Sequence, residues 1–217
     1  MRLRHHFSTI VIMGISLVLL VVSSIYCQKK GRWSEEWEQR FEVRQPTGQI
    51  MDSIGVVPGM VIGEVGAGNG RVAVKMATRV GESGKVFAND IDSKALNFMR
   101  ERCERENIRN MVVVEGRATD PMFPKEQCDL VYMINTYHHL DDPVSLLKNI
   151  ASALKPNGRL VIIEADPAKA ENMGWHSTPK EKVLAQAAKT ECYEPVAIKS
   201  FLRDDNIYIF RKIQPGK

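Results

Sequence analysis

Residues 60–70, which read Met60-Val61-Ile62-Gly63-Glu64-Val65-Gly66-Ala67-Gly68-Asn69-Gly70, decide the fold of this chain. The apolar run at the beginning predicts a buried β-strand. The residues that follow place a glycine at every second position, and glycine permits positive φ and a close approach of the backbone to a ligand. The stretch therefore predicts a first strand that ends in a ligand-binding loop.

Strand and helix patterns alternate through the rest of the chain. Apolar runs predict strands at 60–65, 85–89, 111–115, 129–135, 159–165, 194–200 and 206–212. Helices are predicted at 71–80, 93–107 (with Ser93 as N-cap), 143–154 and 178–189. Strands that alternate with helices of about ten residues indicate an α/β fold with a parallel sheet covered on both faces. The last two strands are joined by a short connection, so we expect them to pair antiparallel.

The loop and the end of the second strand restrict the type of ligand. Arg71 stands where a dinucleotide-binding G-x-G-x-x-G sequence would need glycine, and the phosphate-binding G-x-x-x-x-G-K-[ST] sequence is absent. Asp90 ends the second strand, where a carboxylate can accept hydrogen bonds from a ribose diol. Glu64, before the glycines, suits a cationic or amine-bearing group. The pattern therefore favours a nucleoside that carries positive charge.

Three motifs in order resemble the class I S-adenosylmethionine-dependent methyltransferases. They are the acidic glycine loop 64–70, the Asn89-Asp90-Ile91-Asp92 sequence after the second strand, and the Leu154-Lys155-Pro156-Asn157-Gly158-Arg159-Leu160 sequence before the fifth. The resemblance covers roughly residues 45–212. It implies a Rossmann-like, doubly wound sheet of seven mostly parallel strands with a reversed last strand, and S-adenosylmethionine as the cofactor.

The resemblance also implies a set of cofactor contacts at the strand ends. Glu64 would organise the amino end of the cofactor, Asp90 would hold the ribose hydroxyls, and Asn135 would face the methyl group. Many relatives have aspartate at the position of Arg117, so the adenine contact there is expected from the backbone of Ala118. The residues implied to bind the cofactor are Glu64, Gly66, Ala67, Gly68, Gly70, Asp90, Ile91, Arg117, Ala118 and Asn135.

Candidate catalytic residues follow the fourth strand. Methyl transfer from a sulfonium requires mainly alignment, and a base only when the acceptor must lose a proton. We predict His138 as that base and Tyr137 as a positioning hydroxyl or an aromatic wall beside the sulfonium. Packing and loop shape are the alternative role of these residues, and of His139.

The N-terminal region differs in composition from the rest of the chain. Residues 7–26 form an uncharged hydrophobic run long enough to span a bilayer as a helix. Residues 1–32 hold five basic and no acidic residues, which leaves 25 basic and 26 acidic residues in the remaining 185, a net charge of −1. A near-neutral domain is not typical of nucleic-acid binding. We expect an anchor or signal segment at 1–32 and a methyltransferase domain at 33–217.

The resemblance and the hydrophobic segment together lead to expectations about the acceptor and the cellular location. The acceptor is expected to be a small or lipid-like molecule, and the domain of a single-pass anchored protein is expected to face the cytosol, where S-adenosylmethionine is found. Export after cleavage of the leader is the alternative. Four well-separated cysteines without histidine at ligand spacing predict no metal site. The alternative is a non-catalytic binding or scaffold module of the same fold that is tethered to a membrane, because a fold alone does not show that a protein is an enzyme.

Overall fold

The computed structural model describes residues 33–169 and 176–213. The chain divides into two units, Met1–Val43 and Arg44–Lys217. Helix α1 (Glu35–Arg44) begins in the first unit, with an acidic first turn and the rings of Trp37 and Phe41 4.4 Å apart. Residues 7–26, the predicted anchor, lie outside the described part of the chain. Among the residues that are described, no helix combines the length and the apolar character needed to cross a bilayer.

The larger unit is a seven-stranded sheet with helices between its strands. Its elements in chain order are α2 (Thr47–Ser53), β1 (Val61–Val65), α3 (Arg71–Val80), β2 (Lys85–Asp90), α4 (Ser93–Arg105), β3 (Met111–Glu115), β4 (Cys128–Ile134), a 3₁₀ turn (Tyr137–His139), α5 (Pro143–Ala153), β5 (Leu154–Ala165), α6 (Lys180–Ala188), β6 (Tyr193–Lys199) and β7 (Asp205–Lys212). The strand order is β3-β2-β1-β4-β5-β7-β6. β7 runs antiparallel to β5 and to β6, while the other pairs are parallel. The predicted α/β fold with a reversed last strand is confirmed.

The central strand β4 supplies side chains to both faces of the sheet, because successive residues of a strand point in opposite directions. Leu130 and Tyr132 join the apolar cluster that contains residues of α3 and α4. Val131 and Met133 join the cluster that contains residues of α5 and α6. Both faces are therefore buried under helices, which explains why β4 reads as a continuous apolar run.

Two local predictions are corrected. The N-cap of α4 is Asp92, whose Oδ1 accepts the Lys94 N–H at 2.8 Å, and not Ser93. Strand β5 begins at Leu154 instead of residue 159, because Leu154 already pairs with Cys128. The register then shifts, and Asn157 adopts a φ of 65° within the strand. The Pro156–Gly158 segment is therefore an irregularity inside β5, produced by pairing with β4.

The parallel register brings four strand ends to one edge of the sheet. Val65 of β1 pairs with Asn89 of β2 on one side and with Met133 of β4 on the other. Ile134, the last residue of β4, pairs with Ile163 of β5. The glycine loop, Asp90, the 3₁₀ turn and Glu164 therefore lie along the same carboxyl edge, where open α/β sheets bind ligands.

Candidate active site

The loop after β1 combines a packed glycine with an open one. Gly66, Gly68 and Gly70 have φ values of 71°, 57° and 76°, the left-handed region that favours glycine. A Cβ on Gly66 would come within 2.6 Å of Thr136 Oγ1. A Cβ on Gly68 would meet no atom within 4 Å among the described residues other than its own chain neighbours. Gly66 thus allows close packing of the loop against the β4 end, and Gly68 leaves space above the backbone.

The end of β2 holds this loop by hydrogen bonds. Asp90 Oδ2 accepts the Gly68 N–H at 2.8 Å, and its Oδ1 accepts the Asp92 N–H at 2.9 Å. Asn89 is buried, and its Oδ1 accepts the Gly66 N–H at 3.1 Å. The predicted ribose ligand, Asp90, therefore points toward the glycine loop. Sequence reasoning missed the supporting Asn89, although it lies in the motif that contains Asp90.

Glu64 lies in the interior beneath the loop. Its side chain is buried, and Tyr132 on the neighbouring strand donates a hydrogen bond to Oε2 at 2.6 Å. Burial raises the pKa of Glu64 to about 7, although the Tyr132 hydrogen bond and the charge of Arg71 act to lower it. A cation bound nearby would stabilise the ionised form, so the carboxyl group fits the role predicted for it at the amino end of the cofactor.

The predicted adenine contacts lie on the outer part of the same edge. Ile91, directly after Asp90, is 67% exposed, so its side chain is available to a ligand. Gly116 N–H donates to the Asp90 carbonyl at 3.0 Å and joins the β3 end to the β2 end. Arg117 and Ala118 are exposed, and Arg117 forms a backbone bridge with Asp120. Their roles toward adenine stay predictions.

Asn135 is held by a glutamine that sequence reasoning did not select. Asn135 has a φ of 53°, and its side chain exchanges two hydrogen bonds with Gln45, at 3.0 and 3.1 Å. Gln45 is fully buried and also accepts a hydrogen bond from Arg71 at 3.1 Å. The two amides are 90 residues apart in the chain, so no local pattern could reveal the pair. The contact fixes the side chain predicted to face the methyl group.

The 3₁₀ turn places its residues in different environments. Tyr137 is buried in the apolar cluster with α5 and α6, and its hydroxyl donates to Gln186 Oε1 at 2.9 Å. His138 Nδ1 lies 2.7 Å from Glu164 Oε1, and both side chains are at most 5% exposed. Burial raises the pKa of Glu164, while the His138 contact opposes the shift. The structure thus gives the predicted base a buried carboxylate partner. The role predicted for Tyr137 stays untested.

A second contact on this side involves His176, which precedes α6. His176 Nδ1 lies 3.4 Å from His138 Nε2, and Thr178 Oγ1 donates to Glu164 Oε1 at 3.3 Å. His176 stands 38 positions after His138, and Thr178 stands 14 positions after Glu164, so no local sequence pattern connects either pair. Polar groups from the 3₁₀ turn after β4, from β5 and from the segment before α6 therefore converge here.

The residues at the edge fit S-adenosylmethionine. Gly68 leaves open space beside its backbone, and the Asp90 carboxylate that accepts its N–H lies next to that space. A carboxylate at this position can accept hydrogen bonds from ribose hydroxyls. Burial raises the pKa of Glu64 to about 7, and a bound cationic amino acid moiety would favour its ionised form. The donor set therefore suits a nucleoside with a charged amino acid tail.

Comparisons with known proteins agree with this description. Residues 63–162 match the family model described as a methyltransferase domain. The chain is 30% identical over 115 residues to the ubiquinone/menaquinone biosynthesis C-methyltransferase UbiE of Vibrio vulnificus. The aligned region covers 52% of this chain and 44% of the relative. The matched region thus spans less than half the length of these curated relatives.

Solved structures show the same fold. A SAM-dependent methyltransferase from Aquifex aeolicus superposes with a TM-score of 0.75 at 17% identity and covers 84% of this chain and 100% of its own. A putative methyltransferase from Bacillus halodurans gives a TM-score of 0.64 at 16% identity, with 77% and 99% coverage. Together with the glycine loop, Asp90 and the reversed last strand, these matches show the fold of a class I S-adenosylmethionine-dependent methyltransferase and support the predicted resemblance to that family.

Proposed function

We propose that this protein transfers the methyl group of S-adenosylmethionine to a small, lipophilic acceptor held between the glycine loop and His138. The observation that carries the proposal is that Asp90 holds the glycine loop, with open space at Gly68, at the same carboxyl edge of the sheet as the 3₁₀ turn. When bound, the cofactor supplies an electrophilic methyl group on a sulfonium.

On the cofactor side, the residues of the chain bind and orient S-adenosylmethionine. Asp90 accepts hydrogen bonds from the ribose hydroxyls while it also holds the Gly68 N–H. Glu64 provides charge for the amino end, and Asn135, fixed by Gln45, lines the region of the methyl group. These groups have positions set before the ligand binds, and such preorganisation is the main contribution that a protein makes to an in-line displacement.

On the acceptor side, His138 serves as the proton acceptor when the substrate must lose a proton. An ionised Glu164 accepts a hydrogen bond from His138 Nδ1, which leaves the lone pair on Nε2. Thr178 holds the same carboxylate oxygen and limits its movement. Glu164 is therefore a positioning residue that selects the imidazole tautomer.

Two observations support a lipophilic acceptor. The Vibrio relatives are named as C-methyltransferases of ubiquinone and menaquinone biosynthesis. Residues 7–26 of this chain are hydrophobic and uncharged, as expected for a segment that holds the domain at a bilayer. Quinone-like rings collect in membranes, so an anchored enzyme would meet them there. We propose attachment through residues 7–26 with the domain in the cytosol, and protease protection of residues 33–217 in spheroplasts would support this orientation.

The activity is tested by turnover to S-adenosylhomocysteine. Detergent-solubilised full-length protein is offered short-chain quinols, phenols and water-soluble amines, with Asp90→Ala as the control that lacks the ribose ligand. Turnover with a quinol or a phenol that disappears in Asp90→Ala supports the proposal. Binding of cofactor without turnover on any acceptor would instead favour the non-catalytic module, and activity restricted to amines would contradict a lipophilic acceptor.

A further inference from the structure

Three histidine side chains from two separate segments converge beside the acceptor side of the crevice. His138 and His139 lie in the 3₁₀ turn after β4, and His176 precedes α6. Each offers a ring nitrogen, and these three nitrogens lie within 4.8 Å of one another. The ring centroids of His138 and His139 are 4.0 Å apart, and those of His138 and His176 are 5.4 Å apart. Neutral imidazole is a common ligand of divalent transition metals.

Glu164 prepares His138 to act as a ligand. Its Oε1 lies 2.7 Å from His138 Nδ1, and when it is ionised it accepts the Nδ1 proton, so that the Nε2 lone pair points outward. Metal-binding histidines usually donate their other ring N–H to a carboxylate or a carbonyl, which fixes the tautomer and increases the basicity of the ligand. The His138–Glu164 pair has this arrangement.

The spacing of the nitrogens agrees with a tetrahedral ion. Zinc–nitrogen bonds of 2.0–2.1 Å at tetrahedral angles place two ligand nitrogens about 3.3 Å apart. His138 Nε2 and His176 Nδ1 are 3.4 Å apart. The two rings therefore need little movement to bind one ion, and His139, which is exposed, can turn toward it.

The buried carboxylate of Glu164 provides an independent observation. Glu164 is fully buried, and its Oε2 has no hydrogen-bond partner among the residues that the structure describes. An ionised carboxylate that is buried without a full set of hydrogen bonds raises the free energy of the folded state, and a nearby cation reduces this effect. An ion bound to Nε2 of His138 would lie one imidazole ring away from the carboxylate and would stabilise its ionised form.

We propose that His138, His139 and His176 bind one divalent transition-metal ion of the zinc class, with Glu164 as the carboxylate that orients His138. Three protein ligands leave a fourth position for water or for an atom of a bound molecule. Ion binding does not depend on methyl transfer. The ion and a proton from the acceptor compete for the same His138 lone pair, so the ion-loaded protein does not use His138 as a base.

The test measures ion binding directly on the full-length protein in detergent, without an affinity tag and after chelator treatment. Zn²⁺ is titrated by calorimetry, and Co²⁺ is followed by its visible absorption, which is intense for tetrahedral sites. We expect one ion per chain. Glu164→Gln should weaken binding about 10–100-fold, and His176→Ala, which removes a ligand at an exposed position, should weaken it more.

The chain supplies its own matched control. It has five histidines, and the two outside the cluster are His5 and His6. The double variant His5→Ala/His6→Ala should keep one ion with unchanged affinity. Loss of binding in this variant but not in His176→Ala, or wild-type protein that binds neither Zn²⁺ nor Co²⁺ at micromolar concentrations, would overturn the proposal. Cofactor titration of folded His176→Ala separates this outcome from a failure of the proposed methyltransferase.

Discussion

The two sides of the crevice are built in different ways. On the cofactor side, a loop of consecutive residues is held by Asn89 and Asp90 through hydrogen bonds to backbone N–H groups. On the acceptor side, the site consists of side chains from the 3₁₀ turn after β4, from β5 and from the segment before α6, which contact one another. The cofactor side is therefore specified by short motifs, and the acceptor side by the tertiary fold. Substitutions on the cofactor side should therefore change cofactor binding, and substitutions on the acceptor side should change turnover.

The largest effect on activity is expected from His138→Ala. Removal of the group that accepts a proton from the acceptor should lower kcat about 100-fold or more. The dissociation constant for S-adenosylmethionine should remain nearly unchanged, because Asn89 and Asp90 hold the glycine loop whereas Glu164 holds His138. Single-turnover kinetics and calorimetry measure the two quantities, and full turnover would remove His138 from the chemistry.

The next effect concerns two glycines of one loop. Gly66→Ala should destabilise the protein by roughly 2–4 kcal/mol, because its Cβ would overlap Thr136 and the φ is left-handed. Gly68→Ala should cost only about 1–2 kcal/mol, since no other residue lies near its Cβ. The Cβ that this substitution adds would occupy space that we assign to the cofactor, so Gly68→Ala should weaken cofactor binding about 10–100-fold. Urea denaturation and calorimetry test this pair, and equal destabilisation would show that the loop is packed differently.

A third prediction uses the pKa of Glu64. Burial raises this pKa to about 7 from an ordinary 4.5, so the folded state is progressively destabilised as the pH rises from about 4.5 to about 7. Glu64→Gln removes that penalty and should stabilise the protein at pH 8 by at most about 3 kcal/mol.

The same variant should weaken cofactor binding and change its pH dependence. A cationic ligand prefers ionised Glu64, so wild-type affinity should fall as the pH drops below about 7, by up to about tenfold per unit. The amino group of the ligand titrates with both proteins, so the difference between wild type and Glu64→Gln is the readout. Parallel pH profiles for the two proteins would show that Glu64 does not interact with the ligand charge.

The smallest effect is expected from Thr178→Val. This change removes the hydroxyl that donates to Glu164 at 3.3 Å and keeps the buried shape, so it should cost about 1 kcal/mol. Loss of the donor should raise the pKa of Glu164 further and move the acidic limb of the pH–rate profile to higher pH. Cofactor affinity should not change. A change in affinity without a change in the pH profile would contradict the separation of the two sides.

The sheet and the cofactor loop could be predicted from sequence because their signals are local. Apolar runs that end in Gly66, Gly68 and Gly70 predict a strand and its loop without knowledge of distant residues. Asp90 was found in the same way, as the acid at the end of the second strand. The apolar runs also predicted seven strands, and the short connection between the last two predicted their antiparallel pairing. The resemblance to a family agreed with both and added the Rossmann-like topology.

Contacts between residues far apart in the chain could not be predicted in this way. Gln45 reaches Asn135 across 90 residues, and His138 reaches Glu164 across 26, so both pairs exist only in the folded sheet. Element ends were shifted for a related reason. Pairing with Cys128 begins β5 at Leu154, although Pro156-Asn157-Gly158 locally favours a turn. Long-range contacts decided each of these features.

The central claim is that the Gly68 and Asp90 side of the crevice binds S-adenosylmethionine. The most direct measurement is a calorimetric titration of the full-length protein with this nucleoside, beside the Asp90→Ala variant. The account predicts one molecule bound per chain, with affinity reduced about 10–100-fold in the variant because hydrogen bonds to a charged acceptor are lost. Equal affinity for both proteins, or no binding to the wild type at millimolar concentration, would contradict it.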